Sequence, residues 1–390
     1  MPFNTISASH LVGSDISYAF VERKNDKIKY RFTLKIYRDI FETQNAFLDP
    51  SIRIWVFHQN STGYSFYGND GDGETINVPL SSRTTVPNPK YPCLTPPLSI
   101  GVEVGVYTWE VTFKDSDFKY VLTHFRCCRN ETINNIYTPD RVGNAFTIDL
   151  LPEAQHVDNN SPTFSAYPPI LICAGVPLQF DYSATDKEGD VLKYSFCTPL
   201  VGASRDAAIP VLPVEPPYST VTFKTPFYTF DSPLGKNSPI QVDSKTGIIT
   251  GVPNQLGQFV MSICAEEYRN GKLLSKVIRD FQFNVVLCKQ NVTARIEADS
   301  ASGKTFFTHT CDLTTTLKNL SFDSTKIESF SWVFNIDNQI KTIQDWNPKL
   351  SFKDSGQYVG KLYINPNTPC KDSAEIKIKV SNGIKSFFTT

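Results

Sequence analysis

The 390-residue sequence is 40% hydrophobic and 20% charged, with 38 basic against 39 acidic side chains and a net charge of −1. That balance fits a globular chain and excludes the basic excess expected of a nucleic-acid binder. No apolar run is long enough to cross a bilayer as a helix. Aromatic residues make up 13%, led by 28 Phe and 17 Tyr beside 26 Pro, a composition suited to pleated, half-buried surfaces punctuated by turns. Alternation dominates the chain from the start. In "KIKYRFTLKIYRD" (27–39), Ile28, Tyr30, Phe32, Leu34 and Ile36 fall on one face and Lys29, Arg31, Thr33 and Lys35 on the other. The segments 52–59, 105–113, 118–127 and 144–150 are further predicted strands, and 176–184, 191–197, 257–268 and 278–288 continue the pattern. Helical periodicity is scarce. The prediction is an all-β chain of tandem immunoglobulin-like β-sandwiches. The Pro-rich "NNSPTFSAYPPILIC" (159–173) and the break after Cys288 divide it into three expected domains, 8–158, 159–288 and 289–390.

Nine cysteines point to an oxidising compartment and a secreted or cell-surface protein. The opening "MPFNTISASH" has no basic and apolar signal-peptide regions. The expectation is that the sequence starts near a mature N-terminus, with a cytosolic protein as the alternative. No C-x-x-C occurs, so the cysteines are read as disulfide formers rather than zinc ligands. Adjacent cysteines do not easily pair with each other. In "FRCCRN" one of Cys127 and Cys128 is therefore expected to face inward and bond Cys93, the other cysteine of that domain.

The sharpest polar cluster is "SATDKEGDVLKYSF" (183–196), with Asp186, Glu188 and Asp190 around Gly189. Alternating carboxylates in a tight loop can converge oxygens on a hard cation such as calcium. Asp243, in the downstream "VDSKTGIITGVPNQLGQF" (242–259), is the fourth candidate ligand. The competing reading is a hairpin turn whose Asp side chains cap backbone amides. The loop "GNDGDGETI" (68–76) lacks ligands at both ends of a calcium pattern and reads as a surface hairpin. The five histidines are scattered, and no H-E-x-x-H, G-x-S-x-G or phosphate-binding loop is present. Glu266 and Glu267 are strand neighbours that point to opposite faces, not a facing acid/base pair. Tyr64, Phe66, Tyr67, Tyr218 and Tyr228 are candidates for stacking on sugars, against the alternative that they pack internally.

The Gly-Asp loop followed by "D-x-x-TG-x-ITG-x-P" resembles cadherin-like and related bacterial immunoglobulin-like modules. In chain order, "RFTLKIYRD", "GVYTWEVTF", "FRCCRNETINNI", "NNSPTF", "PPILICAG", "DYSATDKEGDVLKYSFC" and "EEYRNGKLLSKVIRDFQFNVVLC" resemble the N-terminal module of large Bacteroidota surface proteins. Those proteins carry PKD domains and often a gliding-motility-associated or type IX secretion C-terminal domain. The similarity spans approximately 8–288. The third domain resembles a PKD domain in which the usual W-D-F-G-D is altered to "WVFNID", with Trp332, Phe334 and Asp337; Trp332 and Phe334 are expected in the core, and the usual Asp-Gly-Asp of the loop is not kept. In that family the strand that here reads "KIYRDIF" commonly ends in Cys, and Ile40 holds the place, which would leave one of Cys127 and Cys128 without a partner. The missing sorting domain after residue 380 suggests a fragment or another route of sorting. The proposed domains put Cys197 and Cys264 in central strands of the second, Cys173 and Cys288 at its two ends where a bridge would close it, and Cys311 with Cys370 across the third.

The resemblance implies a non-catalytic surface protein with adhesion, display or gliding-related roles, with surface glycans or other cell-surface proteins as partners. An extracellular carbohydrate-binding protein and an accessory part of a secreted hydrolase are the alternatives.

Overall fold

A computed structural model describes residues 11–40, 47–69, 71–87, 94–97, 101–212, 214–336, 339–368 and 370–381. The fold is all-β, with its strands arranged in several mainly antiparallel sheets. Among the described residues the one α-helix is the four-residue Pro152–Gln155. No helix there is long and apolar enough to cross a membrane. The chain divides into two compact units, one of Met1–Pro89 with Pro97–Leu287 and one of Lys90–Pro96 with Cys288–Thr390.

In the first unit, hydrogen bonding links ten strands in the order Val191–Cys197, Gly257–Arg269, Lys272–Val286, Leu11–Lys24, Lys27–Asp39, Val102–Lys114, Ile76–Val86, Ser51–Asn60, Tyr120–Arg126 and Asn144–Leu150. The expected 158/159 boundary lies inside this unit, because Gly13–Asp15 pair with Arg279–Phe281 and carry the sheet across it. The alternation read from 27–39 is seen directly: Ile28, Tyr30, Phe32 and Leu34 are fully buried and their neighbours are not. Trp109 stacks on Phe32 at 5.6 Å between ring centroids, part of an aromatic layer continued by Tyr30 and Phe113. The hairpin of Gly257–Arg269 with Lys272–Val286 turns through Asn270 and Gly271, both at positive φ (52° and 79°). Asn-Gly is the pair best able to adopt that two-residue turn.

In the second unit, six strands run in the order Ser300–Ser302, Thr305–Thr310, Asp372–Val380, Gly356–Ile364, Phe330–Ile336 and Gln339–Ile343. Thr314–Thr316 pairs separately with Lys349–Ser351. Trp332 and Phe334 are buried in its core, as expected, while Asp337 lies outside the described residues. Gly360 is required by close approach: a Cβ there would stand 2.1 Å from the Phe334 ring.

The disulfides correct part of the sequence reading. Cys197 is bonded to Cys264 on the neighbouring strand, with Cα atoms 5.9 Å apart. Cys127 and Cys128 are bonded to each other across a cis peptide, with Cα atoms 3.0 Å apart, and both are buried. Neither is the orphan expected from Ile40, and Cys93 lies outside the described residues. Cys173, Cys288 and Cys370 are each disulfide-bonded. Cys311 is a free, exposed thiol and not the partner of Cys370. The parallel register of Thr305–Thr310 on Glu375–Val380 explains this. It puts Cys311 beyond one end of the Asp372–Val380 strand and Cys370 before the other, roughly 30 Å away at 3.3 Å per residue.

Candidate metal centre

The site forms where three segments of the first unit meet. The loop after Ala184–Thr185 carries Asp186, Glu188 and Asp190 into the Val191–Cys197 strand. Gly189 sits in it at φ 82°, a left-handed conformation that costs glycine little. Asp186 Oδ1 accepts the Asp190 backbone N–H at 2.7 Å and closes the loop on itself. The second segment is the inward face of the Gly257–Arg269 strand. Glu266 points outward to Lys276 Nζ at 3.2 Å, and Glu267 points inward and is fully buried. The third is the stretch after Pro152–Gln155. Ser161 exchanges hydrogen bonds with Tyr18 there, its N–H donating to the Tyr18 carbonyl at 3.0 Å and its Oγ accepting from Tyr18 N–H at 2.8 Å. Phe20 N–H donates to Asn160 Oδ1 at 3.0 Å, so this stretch is held along the Leu11–Lys24 strand.

Oxygens of Asp186, Glu188, Asp190 and Glu267 all lie within 4.8 Å of one another. Glu267 Oε2 accepts from Ser275 Oγ at 2.6 Å, directly opposite in the hairpin register, and from Asn159 Nδ2 at 2.9 Å. Asn160 Nδ2 donates to Glu188 Oε1. Arg269 binds both oxygens of Asp190, with Nη2–Oδ2 at 2.6 Å, and also donates to Asn159 Oδ1 at 3.1 Å. Two carboxylate oxygens, Glu267 Oε1 and Asp186 Oδ2, are buried without a hydrogen-bond partner.

The electrostatics follow from this crowding. Burial, joined by the nearby Asp186 charge, pushes the Glu267 carboxyl up to about 8, while Ser275 and Asn159 oppose the rise. The hydrogen-bonded Arg269 holds Asp190 below the usual carboxylate range. Four carboxylates thus face one another with a single guanidinium bonded to one of them. All-oxygen donors of this kind suit a hard divalent cation.

The structure brings together three of the four sequence candidates and puts Asp243 elsewhere. Asp243 Oδ1 caps its own turn, accepting from Thr246 N at 2.7 Å, Thr246 Oγ1 at 2.9 Å and Lys245 N at 3.0 Å. Those bonds, the Thr246 amide first, lower its pKa. Glu267 takes the place given to it. The sequence signal for Glu267 was present in the strand alternation, but two-fold periodicity cannot say which of two adjacent glutamates faces in. Asn159 and Asn160 were read as part of a linker. In the weaker loop, Asp72 Oδ1 accepts Glu74 N–H at 2.7 Å, the turn expected there, and Asp70 lies outside the described residues.

The aromatic candidates are packed. Tyr67 lies between Phe113 and Tyr120 at 6.0 and 5.0 Å, Phe66 against Phe57 at 5.7 Å, and Tyr218 edge-on to Phe125 at 5.1 Å. Tyr64 is half-buried under Lys119, and Tyr228 is buried against Phe259.

No family model matches this sequence, and no curated protein does. Among solved structures, Sidekick-1 immunoglobulin domains 1–5 align at 11% identity and a TM-score of 0.20, over 96% of this chain and 60% of that one. The present chain therefore spans less than two thirds of that structure. Protocadherin Gamma B2 extracellular cadherin domains 3–6 align at 11% identity and TM-score 0.20, over 94% and 92% of the two chains. The fibronectin(III)-like modules of Clostridium thermocellum CbhA align at 11% identity and TM-score 0.20, over 56% and 93%. Likenesses at this level define no site and no ligand.

Proposed function

We propose that this is a non-catalytic extracellular or cell-surface protein whose β-sandwiches display an adhesive or spacing surface, with its first unit pinned by calcium. Asp186, Glu188, Asp190 and Glu267 supply the ligands. The ion ties the 184–190 loop to the Gly257–Arg269 strand, and through the Asn159 and Asn160 hydrogen bonds to the segment that leads into them. The observation that carries this reading is the buried carboxyl of Glu267 facing three more carboxylates. Uncompensated buried charge is costly, and a divalent cation offsets it. The disulfides support an oxidising compartment. The resemblance of 8–288 to the modules of Bacteroidota surface proteins supports the adhesion or gliding-related role, with cell-surface proteins or glycans as partners.

Millimolar calcium is expected to raise the melting temperature of the chain and chelator to lower it. A hundredfold excess over Kd corresponds to about 2.7 kcal/mol. In Asp190→Ala the calcium increment disappears. A parent protein whose melting temperature is indifferent to calcium overturns the assignment.

A further inference from the structure

Of the four tryptophans, Trp55, Trp109 and Trp332 are buried in cores, at 0, 7 and 0% exposure. Trp346 is different. It follows the Gln339–Ile343 strand of the second unit and remains half-exposed. Its ring stands nearly perpendicular to that of Phe330, at 88° with centroids 4.9 Å apart. The two rings form the corner of a groove of about 500 Å³, whose other walls include Ile327, Glu328, Ser329 and Gln344. That volume falls within the roughly 300–1,000 Å³ of small-ligand sites.

Both walls are fixed by side chains that hold backbone. The buried Asn365 accepts the N–H groups of Glu328 and Ser329 at Oδ1, at 2.7 and 3.1 Å, and donates from Nδ2 to the Lys326 carbonyl at 2.9 Å. On the opposite side Asp345 Oδ1 accepts Asn347 N–H at 3.1 Å, and Asn347 Oδ1 accepts Asn319 N–H at 3.0 Å. The backbone around the aromatic corner is therefore set before a ligand arrives, which removes part of the ordering cost of binding. The lining also has a definite chemistry. It pairs an aromatic and aliphatic surface with a carboxylate, a carboxamide and hydroxyls, and it contains no cation. An anionic ligand finds no cation in it and meets the Glu328 carboxylate, and a purely apolar one makes no use of its polar groups.

We propose that this groove binds a neutral sugar unit of a glycan. The apolar face of a pyranose ring packs on the Trp346 indole, and its hydroxyls bond Glu328, Ser329 and Gln344. The site lies in the second unit and does not depend on the calcium reading.

The test is calorimetric titration of the full chain with neutral tetrasaccharides of glucose, mannose, xylose and N-acetylglucosamine, with uronic-acid tetrasaccharides alongside. The expected result is binding of at least one neutral series, weakened about tenfold or more by Trp346→Ala at an unchanged far-ultraviolet spectrum. Should that variant misfold, Gln344→Ala and Glu328→Gln at the groove rim are each expected to weaken binding several-fold. Failure of all the neutral series to bind at millimolar concentration overturns the proposal, as does a preference for the uronic acids. So does affinity unchanged in the folded Trp346→Ala, or in both rim variants.

Discussion

One hairpin, Gly257–Arg269 with Lys272–Val286, carries two buried charged clusters that are built on opposite plans. Midway along it, Arg279 is buried against Asp15, with Nη2–Oδ2 at 3.0 Å and Nε–Oδ2 at 3.1 Å. Tyr37 Oη donates to the same oxygen at 2.9 Å, and Arg279 Nη1 donates to the Ala166 carbonyl at 2.7 Å. The guanidinium lies over the Phe164 ring at 4.0 Å. Here the chain supplies its own cation and fills the remaining donors. Near the turn, Glu267 faces Asp186, Glu188 and Asp190, and Arg269 is bonded to Asp190 alone among these acids. A buried carboxylate is thus not by itself a sign of a ligand. What separates the two clusters is whether the protein's own donors and cations account for the acidic oxygens.

The largest expected effect breaks the self-sufficient cluster. Arg279→Met leaves the buried Asp15 with only the more distant Lys35, at 3.9 Å, and should cost about 3–5 kcal/mol in urea denaturation. Calcium should restore none of it. A variant as stable as the parent, or one rescued by calcium, would erase the distinction between the clusters.

The next concerns Glu267 and pH. Its carboxyl is held at about 8 against an ordinary 4.5, so between those values the native state keeps a proton that the unfolded chain has released. Calcium-free stability should therefore fall as pH rises through that window, by up to about 1.4 kcal/mol per pH unit. Calcium needs the ionised carboxylate, so its stabilising increment should grow over the same range. Glu267→Gln is expected to flatten the pH slope in chelator, to exceed the parent in stability at pH 8, and to lose the calcium increment. Thermal melts from pH 5 to 8 with and without calcium decide this, and a parent whose chelated stability rises with pH contradicts it.

The legibility of these features in the sequence follows the range of the forces behind them. Alternation from Ile28 to Ile36 marks a half-buried strand because the pleat repeats every two residues, and the all-β class follows from many such runs. The 184–190 loop was legible because its three carboxylates are local. Glu267 was not assigned, since it reaches the site only through a pairing some 80 residues distant. Asn159 and Asn160 looked like linker because Asn and Pro mark loops generally, whereas here they hydrogen-bond to Glu267, Glu188 and Phe20. The disulfides mark the same limit. Cys311 and Cys370 share a unit, but only the parallel register shows that they lie at opposite ends of a strand.

The smallest expected effect sharpens the boundary of the acidic cluster. Asp243 and Asp190 are both aspartates in turns of the same unit, and sequence pattern grouped them as ligands. Asp243 spends Oδ1 on two backbone amides and a hydroxyl within three residues of itself, and such a cap acts on its own turn alone. Asp243→Ala should lower the melting temperature slightly and leave the calcium increment at its parental size, whereas Asp190→Ala removes that increment. The two variants measured side by side in chelator and in calcium separate a capping aspartate from a ligating one. Loss of the calcium increment in Asp243→Ala would place the ion at the turn that follows the Ile240–Val242 strand and take it away from Glu267.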